Sequence, residues 1–183
     1  MTDNKARFDV MGQLPALRRY GLALTRNAAD AEDLVNEALL RAYEKRAGFR
    51  SDKNLRVWLL SILHNCFIDG KRRERAEHNK LAGAAELAES HAAPAQEHAV
   101  HLAQVRQAFL TLPEEQRAAL HLVAIEGLSY QEAAATLAIP IGTLMSRLGR
   151  ARAALRALED TGDAQTARLG HLRIVGGTDD TAG

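Results

Sequence analysis

Apolar residues recur along much of this chain at helical spacing. Ala31, Leu34, Val35, Ala38, Leu39, Ala42 and Tyr43 fall at i, i+3, i+4, i+7, i+8, i+11 and i+12, one stripe of an amphipathic helix. The same spacing returns in Leu55, Trp58, Leu59, Ile62, Leu63, Cys66 and Phe67. Asn27 or Asp30 is placed to cap the first of these helices, and Ser51, Asp52 or Asn54 the second. Leu14, Leu17, Gly21 and Leu24 predict an earlier helix, which tolerates Pro15 near its start. Three such stripes can bury one another, so residues 1–76 read as a first helical domain. Residues 77–95 lose the stripe, are rich in Ala and polar side chains, and contain Pro94; a flexible linker is expected there.

The pattern resumes with Leu102, Val105, Phe109 and Leu112. Pro113, followed by Glu114 and Glu115, suits the first turn of a further helix, which is expected to bury Leu120, Val123 and Ala124 and to stop at Gly127. Ser129 and Glu132 form the signature of a capping box, so a short helix starts there and carries Ala133, Ala134 and Ala135 for close packing. The run Ile139, Pro140, Ile141, Gly142 breaks it, and Thr143 is expected to cap a last helix with Leu144, Leu148, Ala151 and Leu155 inward. Residues 96–158 are thus a second helical domain, and the Gly-containing stretch 159–183 is expected to be a disordered tail.

Composition narrows the class. The chain has 183 residues, 46% hydrophobic but only 4% aromatic, so its cores must be built from Ala, Leu, Ile and Val. With no strand-period segment, an all-α fold of two small helical domains joined by a flexible linker follows. Cys66 is the single cysteine, which excludes a disulfide framework and a cysteine zinc site. The first residues lack the apolar run of a signal peptide, and no stretch approaches the ~20 apolar residues of a membrane span. A cytoplasmic chain without membrane insertion is expected.

Net charge is +1 and points to no partner, but its distribution does. Two short helices joined by a turn of about four residues are the layout of a helix-turn-helix. From Ile141 to Arg156 there are four arginines, at 147, 150, 152 and 156, and no acid. With Leu144, Leu148 and Ala151 inward, Met145, Ser146, Arg147, Gly149 and Arg150 face a major groove. The amides near Gly142 and Thr143 suit a phosphate. Arg147 lies in the first half of its helix, where the helix dipole does not call for a cation, so DNA binding accounts for it better than a solvated helix end.

The first domain carries an acidic line, Asp30, Asp33 and Glu37, which by itself reads as a solvated face. Its second stripe helix exposes Arg56, Ser61, His64, Asn65 and Asp69 and continues into Lys71, Arg72, Arg73 and Arg75, a surface compatible with single-stranded DNA. Trp58 lies on the apolar stripe and belongs to the core. His91, His98 and His101 lack the convergent partners of a metal site, and Cys66 and His64 face different ways on one helix. Walker, dinucleotide and nucleophile-elbow motifs are absent from the sequence. No enzyme activity, metal or cofactor is expected.

The segments DAEDLVNEALLRAYEK (30–45), LRVWLLSILHNCFIDGKRR (55–73), LPEEQRAALHL (112–122) and GLSYQEAAATLAIPIGTLMSRLGRAR (127–152) resemble, in order and spacing, the bacterial extracytoplasmic-function (ECF) RNA polymerase sigma factors. The resemblance covers most of residues 10–158 and implies a division of labour. Asp30, Asp33, Asn36 and Glu37 would dock on core RNA polymerase. Arg50, Asn54, Asn65, Asp69, Lys71, Arg72 and Arg73 would open and hold the −10 element as a single strand. Ser129, Thr143, Met145, Ser146, Arg147, Arg150 and Arg152 would read the −35 duplex. An anti-sigma factor is the further partner it implies, and residues 55–65 resemble the subgroup tied to alphaproteobacterial general stress control. Gly149 departs from the family pattern, where a larger side chain is usual, as does the Gly-containing tail. A stand-alone helix-turn-helix regulator would share only the second domain and have no use for the residue 65–73 segment; a helical adaptor that binds no DNA would leave the four arginines unexplained.

Overall fold

The computed structural model describes residues 9–50, 52–81 and 97–169. Ser51, most of the expected linker (82–95), His91 within it and the tail beyond residue 169 lie outside the described residues. A short 3₁₀ turn, Met11–Gln13, leads into α1 (Leu14–Thr25), α2 (Ala28–Glu44), a second 3₁₀ turn and α3 (Leu55–Leu81). The second half comprises α4 (Glu97–Thr111), α5 (Glu114–Leu120), a π turn at His121–Ile125, α6 (Tyr130–Thr136) and α7 (Ile141–Leu169).

Local chemistry sets the helix starts. Asn27 caps α2 by accepting from Ala29 N (2.8 Å) and Asp30 N (3.3 Å), and Asn54 accepts from Arg56 N (3.0 Å) at the start of α3. The capping box of α6 is complete: Glu132 N donates to Ser129 Oγ (3.2 Å), and Ser129 N donates to Glu132 Oε2 (2.9 Å). Thr143 does not cap α7. The helix begins two residues earlier, because Pro140 presents its carbonyl to Leu144 N (3.1 Å) and the chain is helical from Ile141. Both long helices overrun their expected ends. Gly70 is internal to α3, which runs five residues into the expected linker, and α7 runs to Leu169 rather than ending near 158.

The three helices of the first half pack closely where Gly21 of α1 meets α2; a Cβ there would lie 3.3 Å from the carbonyl oxygen of Ala31. The expected stripes are buried, except at their ends. Tyr43, on the last turn of α2, is 61% exposed and its ring lies under the Arg46 guanidinium at 3.8 Å. Trp58 is only partly buried and contacts Phe49, with ring centroids 4.9 Å apart.

The two halves share one hydrophobic core, from Leu17 and Tyr20 through Leu60 and Leu63 to Leu122, Leu144 and Leu148. Residues off the expected stripes make this possible. Leu60 and His64, one turn apart on α3, are buried, and Tyr20 of α1 is fully covered. His64 was expected at the surface. Instead its Nδ1 lies within hydrogen-bond distance of the Tyr20 hydroxyl (3.0 Å). Burial pushes the His64 pKa down to about 4, with nearby Glu114 opposing and Arg147 reinforcing the shift.

The second half departs from a plain helix at residues 121–125. Glu126 N bonds His121 O (3.0 Å), an i to i−5 step that inserts one residue into the turn. The insertion rotates the register, so Leu122 and Glu126 are buried while Ala124, expected inward, is exposed and Val123 is only partly covered. Gly127, at φ +71°, then reverses the chain. Within the helix-turn-helix, Ala133 and Ala134 are buried but Ala135 is exposed.

Two outcomes follow from this packing. Ala138 holds a left-handed φ of +52° in the turn between α6 and α7 while its side chain is exposed. Ala138→Gly should therefore raise the unfolding free energy by roughly 0.5–1 kcal/mol, measured by urea denaturation, with no loss of duplex binding. His64 stays neutral in the folded chain down to about pH 4, whereas an unfolded histidine takes up its proton near pH 6.5. Its contribution to stability is thus intact above pH 6.5 and is lost as pH falls toward 4. His64→Gln, which keeps a hydrogen-bonding group for Tyr20, should remove about 2 kcal/mol of the stability difference between pH 7 and pH 5.

Candidate nucleic-acid interface

Three groups of expected contact residues occupy three surfaces. On α2, Asp30, Asp33 and Asn36 are exposed along one side, and Glu37 lies half-buried at its end. Glu37 is not free: Arg41 donates to it at 2.7 Å and Arg73 at 3.2 Å. Arg41 also donates to Asp69 on α3 at 2.8 Å, which holds that carboxyl below the usual carboxylate range. One guanidinium, missed in the sequence, therefore ties the acidic helix to the segment expected to take the −10 strand.

The second group does not form one pocket. Asn65 and Arg72 are exposed on α3, and Arg73 reaches back to Glu37. Lys71 turns toward the second half and pairs with Glu114 at 2.6 Å. Arg50 pairs with Asp52 at 2.9 Å, and Asn54 is occupied as the cap of α3.

The third group gathers around the first three turns of α7. Leu144, Leu148 and Ala151 are buried, which turns Met145, Ser146, Gly149, Arg150 and Arg152 outward. Arg147 is partly covered and pairs with Glu115 of α5 at 2.8 Å. Arg150 touches only Ser146 Oγ at 3.4 Å, and Arg152 approaches the Tyr130 hydroxyl at 3.4 Å. Thr143 is half-buried in the first turn of α7, and Ser129 is committed to the capping box, which also keeps Glu132 below its usual pKa. The outcome is a convex arginine-bearing helix fixed by a buried face, the geometry that enters a major groove.

Sequence reasoning missed the charges between the halves. Glu126 has no side-chain exposure. Arg19 of α1 grips it with two bonds of 3.1 Å, Arg56 of α3 donates to Oε2, and His121 Nε2 lies 3.1 Å from Oε1. Burial alone would raise this carboxyl; the bonds from His121, Arg19 and Arg56 outweigh it and hold the pKa at about 2. Arg117 makes the converse crossing and is 1% exposed. It donates to Ala23 O and Leu24 O (3.2 Å) at the end of α1 and to Leu112 O (2.6 Å). Carbonyls of a last helical turn lack intrahelical partners and carry the negative end of the dipole, so they suit a guanidinium without a carboxylate. Burial pushes Arg117 down to about 10, still charged at neutral pH. The signal available in the sequence was Leu60, an apolar residue beside the α3 stripe, which marks a second covered face.

Fold and surface together define a two-part, all-α protein with a helix-turn-helix. Residues 10–77 match the Sigma-70 region 2 family and residues 102–155 the Sigma-70 region 4 family. The chain is 38% identical to the ECF RNA polymerase sigma factor EcfG of Rhodopseudomonas palustris over 97% of its own length and 98% of that protein. It is 34% identical to the ECF sigma factor SigC of Mycobacterium tuberculosis over 74% of each chain. Among solved structures, it superimposes on the sigma factor RpoE of Bartonella quintana, crystallised with the anti-sigma factor NepR, with a TM-score of 0.73 and 33% identity over 87% of this chain and 98% of that one. It also matches CnrH in complex with the cytosolic domain of CnrY, with a TM-score of 0.60 and 27% identity over 87% and 91% of the two chains. The chain belongs to the ECF RNA polymerase sigma factors. It is a promoter-recognising initiation subunit that acts with core RNA polymerase, and the presence of region 2 disfavours the stand-alone regulator. Among the described residues, no helix is long and apolar enough to cross a membrane, and no group of three or more His, Cys, Asp or Glu is placed to hold a metal ion.

Proposed function

We propose that the labour of initiation is divided in this chain as its surfaces suggest. The first domain, within residues 1–76, docks on core polymerase through Asp30, Asp33, Asn36 and Glu37. It holds the −10 strand with Arg50, Asn54, Asn65, Asp69, Lys71, Arg72 and Arg73. The second domain, within 96–158, reads the −35 duplex with Ser129, Thr143, Met145, Ser146, Arg147, Arg150 and Arg152, of which Ser129 also caps α6. The observation that carries this reading is a convex arginine face, free of acids, on residues 141–156 of α7 in the same chain as a separate acidic helix. A groove-filling helix suits duplex DNA, and exposed Asn and Arg side chains suit an opened strand.

The chain itself performs no chemistry in this reading and works in the cytoplasm. Since the Bartonella relative is bound to an anti-sigma factor, a partner of that kind is proposed here too, and the resemblance of residues 55–65 to the general-stress subgroup favours a role in stress control.

Run-off transcription with bacterial core polymerase on a pooled promoter library tests the whole. Transcripts should depend on this chain and share sequences near −35 and −10; silence together with tight duplex binding by the chain alone would favour the stand-alone regulator. Arg150→Ala should weaken promoter binding about tenfold and shift base preference in the −35 element, whereas Arg106→Ala, on exposed α4, should leave both unchanged.

A further inference from the structure

The two halves are closed on each other in a way that does not fit the promoter they read. Lys71, a −10 residue in the reading above, pairs with Glu114 at 2.6 Å. Its sequence neighbour Glu115 pairs with Arg147 of the recognition helix at 2.8 Å. Two adjacent glutamates thus hold a −10 side chain and a −35 side chain within roughly 20 Å of each other, given the span of one peptide and two side chains. Elements centred 25 positions apart lie about 85 Å apart along B-DNA. The sixteen peptide steps from Leu81 to Glu97 extend to about 55 Å at most, enough to let the halves part.

Closure combines a shared apolar core with buried charge. Glu126 of the second half is fully enclosed, and two of its three partners, Arg19 and Arg56, belong to the first half. Both arginines remain partly exposed, so water can replace the carboxylate on them as soon as the halves separate. An ion pair of this kind is strongly bound while closed and yet returns most of its energy to hydration when open, because the desolvation cost of closure is recovered.

We propose that Glu126, gripped by Arg19 and Arg56, is a latch that sets the balance between this closed chain and the open chain that engages a promoter. Asp30, Asp33 and Asn36 of α2 stay exposed in the closed chain, so the latch leaves polymerase docking available and restrains promoter reading. The regulatory half of this inference rests on the −10 and −35 assignments; the latch itself does not.

Small-angle scattering of the full chain, with run-off transcription at sub-saturating chain concentration, tests it. The double variant Arg19→Ala with Arg56→Ala touches only half-exposed side chains of the first half. It should enlarge the radius of gyration by several ångströms and raise transcript yield by up to about tenfold. Arg19→Lys with Arg56→Lys, which keeps the charges but loses the two-pronged grip, should fall between. Glu126→Gln should open the chain from the other side, with circular dichroism checking that the second half remains folded. Unchanged dimensions in the alanine double variant would overturn the latch. Expansion without a gain in transcript would show a contact that merely packs and would overturn its regulatory role. Silence of the unmodified chain on every promoter, with scattering still responding, would overturn the promoter reading and the regulatory half together while sparing the latch.

Discussion

A carboxylate withdrawn from water costs several kcal/mol unless charge and hydrogen bonds replace the lost hydration. Glu126 is withdrawn completely, and much of the surrounding structure answers that one constraint. The π turn at His121–Ile125 is what rotates residue 126 inward; a regular helix would carry it past. His121 supplies a donor from the same turn, α1 and α3 each supply an arginine, and Gly127 lets the chain leave at once toward the capping box of α6. Arg117 meets the matching constraint from the cationic side by filling the open carbonyls of α1. The second half thereby buries two charges, Glu126 and Arg117, that draw partners from the first.

This arrangement explains why α3 is covered on two sides. Its stripe through Leu59, Leu63 and Cys66 packs within the first half, while Arg56, Leu60, His64 and Lys71 follow the side that meets the second. The acidic side of α2 takes no part in closure and stays in solvent. Arg41 and Arg73 join the two faces of the first half, since both reach Glu37 from the neighbourhood of Asp69.

Periodicity and capping made most of this fold legible in the sequence. The stripes of α1, α2, α3 and α7, the Asn27 cap and the Ser129–Glu132 box depend on neighbours within a turn or two, and those relations are written locally. The same locality explains the misses. A template with one apolar stripe assigns His64 to the surface, because nothing near it in sequence says that a second half will cover it. Tyr43 continues a perfect stripe, yet α2 extends past the helices it packs on. Ala124 fails through the inserted residue, since a π turn has no strong local signature. The recognition helix could be read because buried Leu144 and Leu148 fix its outward face; the −10 group was harder, since Lys71, Arg50 and Asn54 have partners whose positions depend on the tertiary fold.

The choice of charge over a larger apolar seam has a physical logic in a subunit whose two parts must act at distant points on DNA. An apolar seam gains free energy in proportion to the area hidden, and separating it exposes all of that area to water. An enclosed ion pair fixes orientation sharply, because Arg19 and Arg56 both meet Glu126 only over a narrow range of placements, yet its net contribution is modest once solvation is counted. Specificity of closure is thus obtained without a deep well. The apolar contacts around Tyr20 and Leu60 belong to a core that both halves share, and the hydrogen bonds at Glu126 give that seam its orientation.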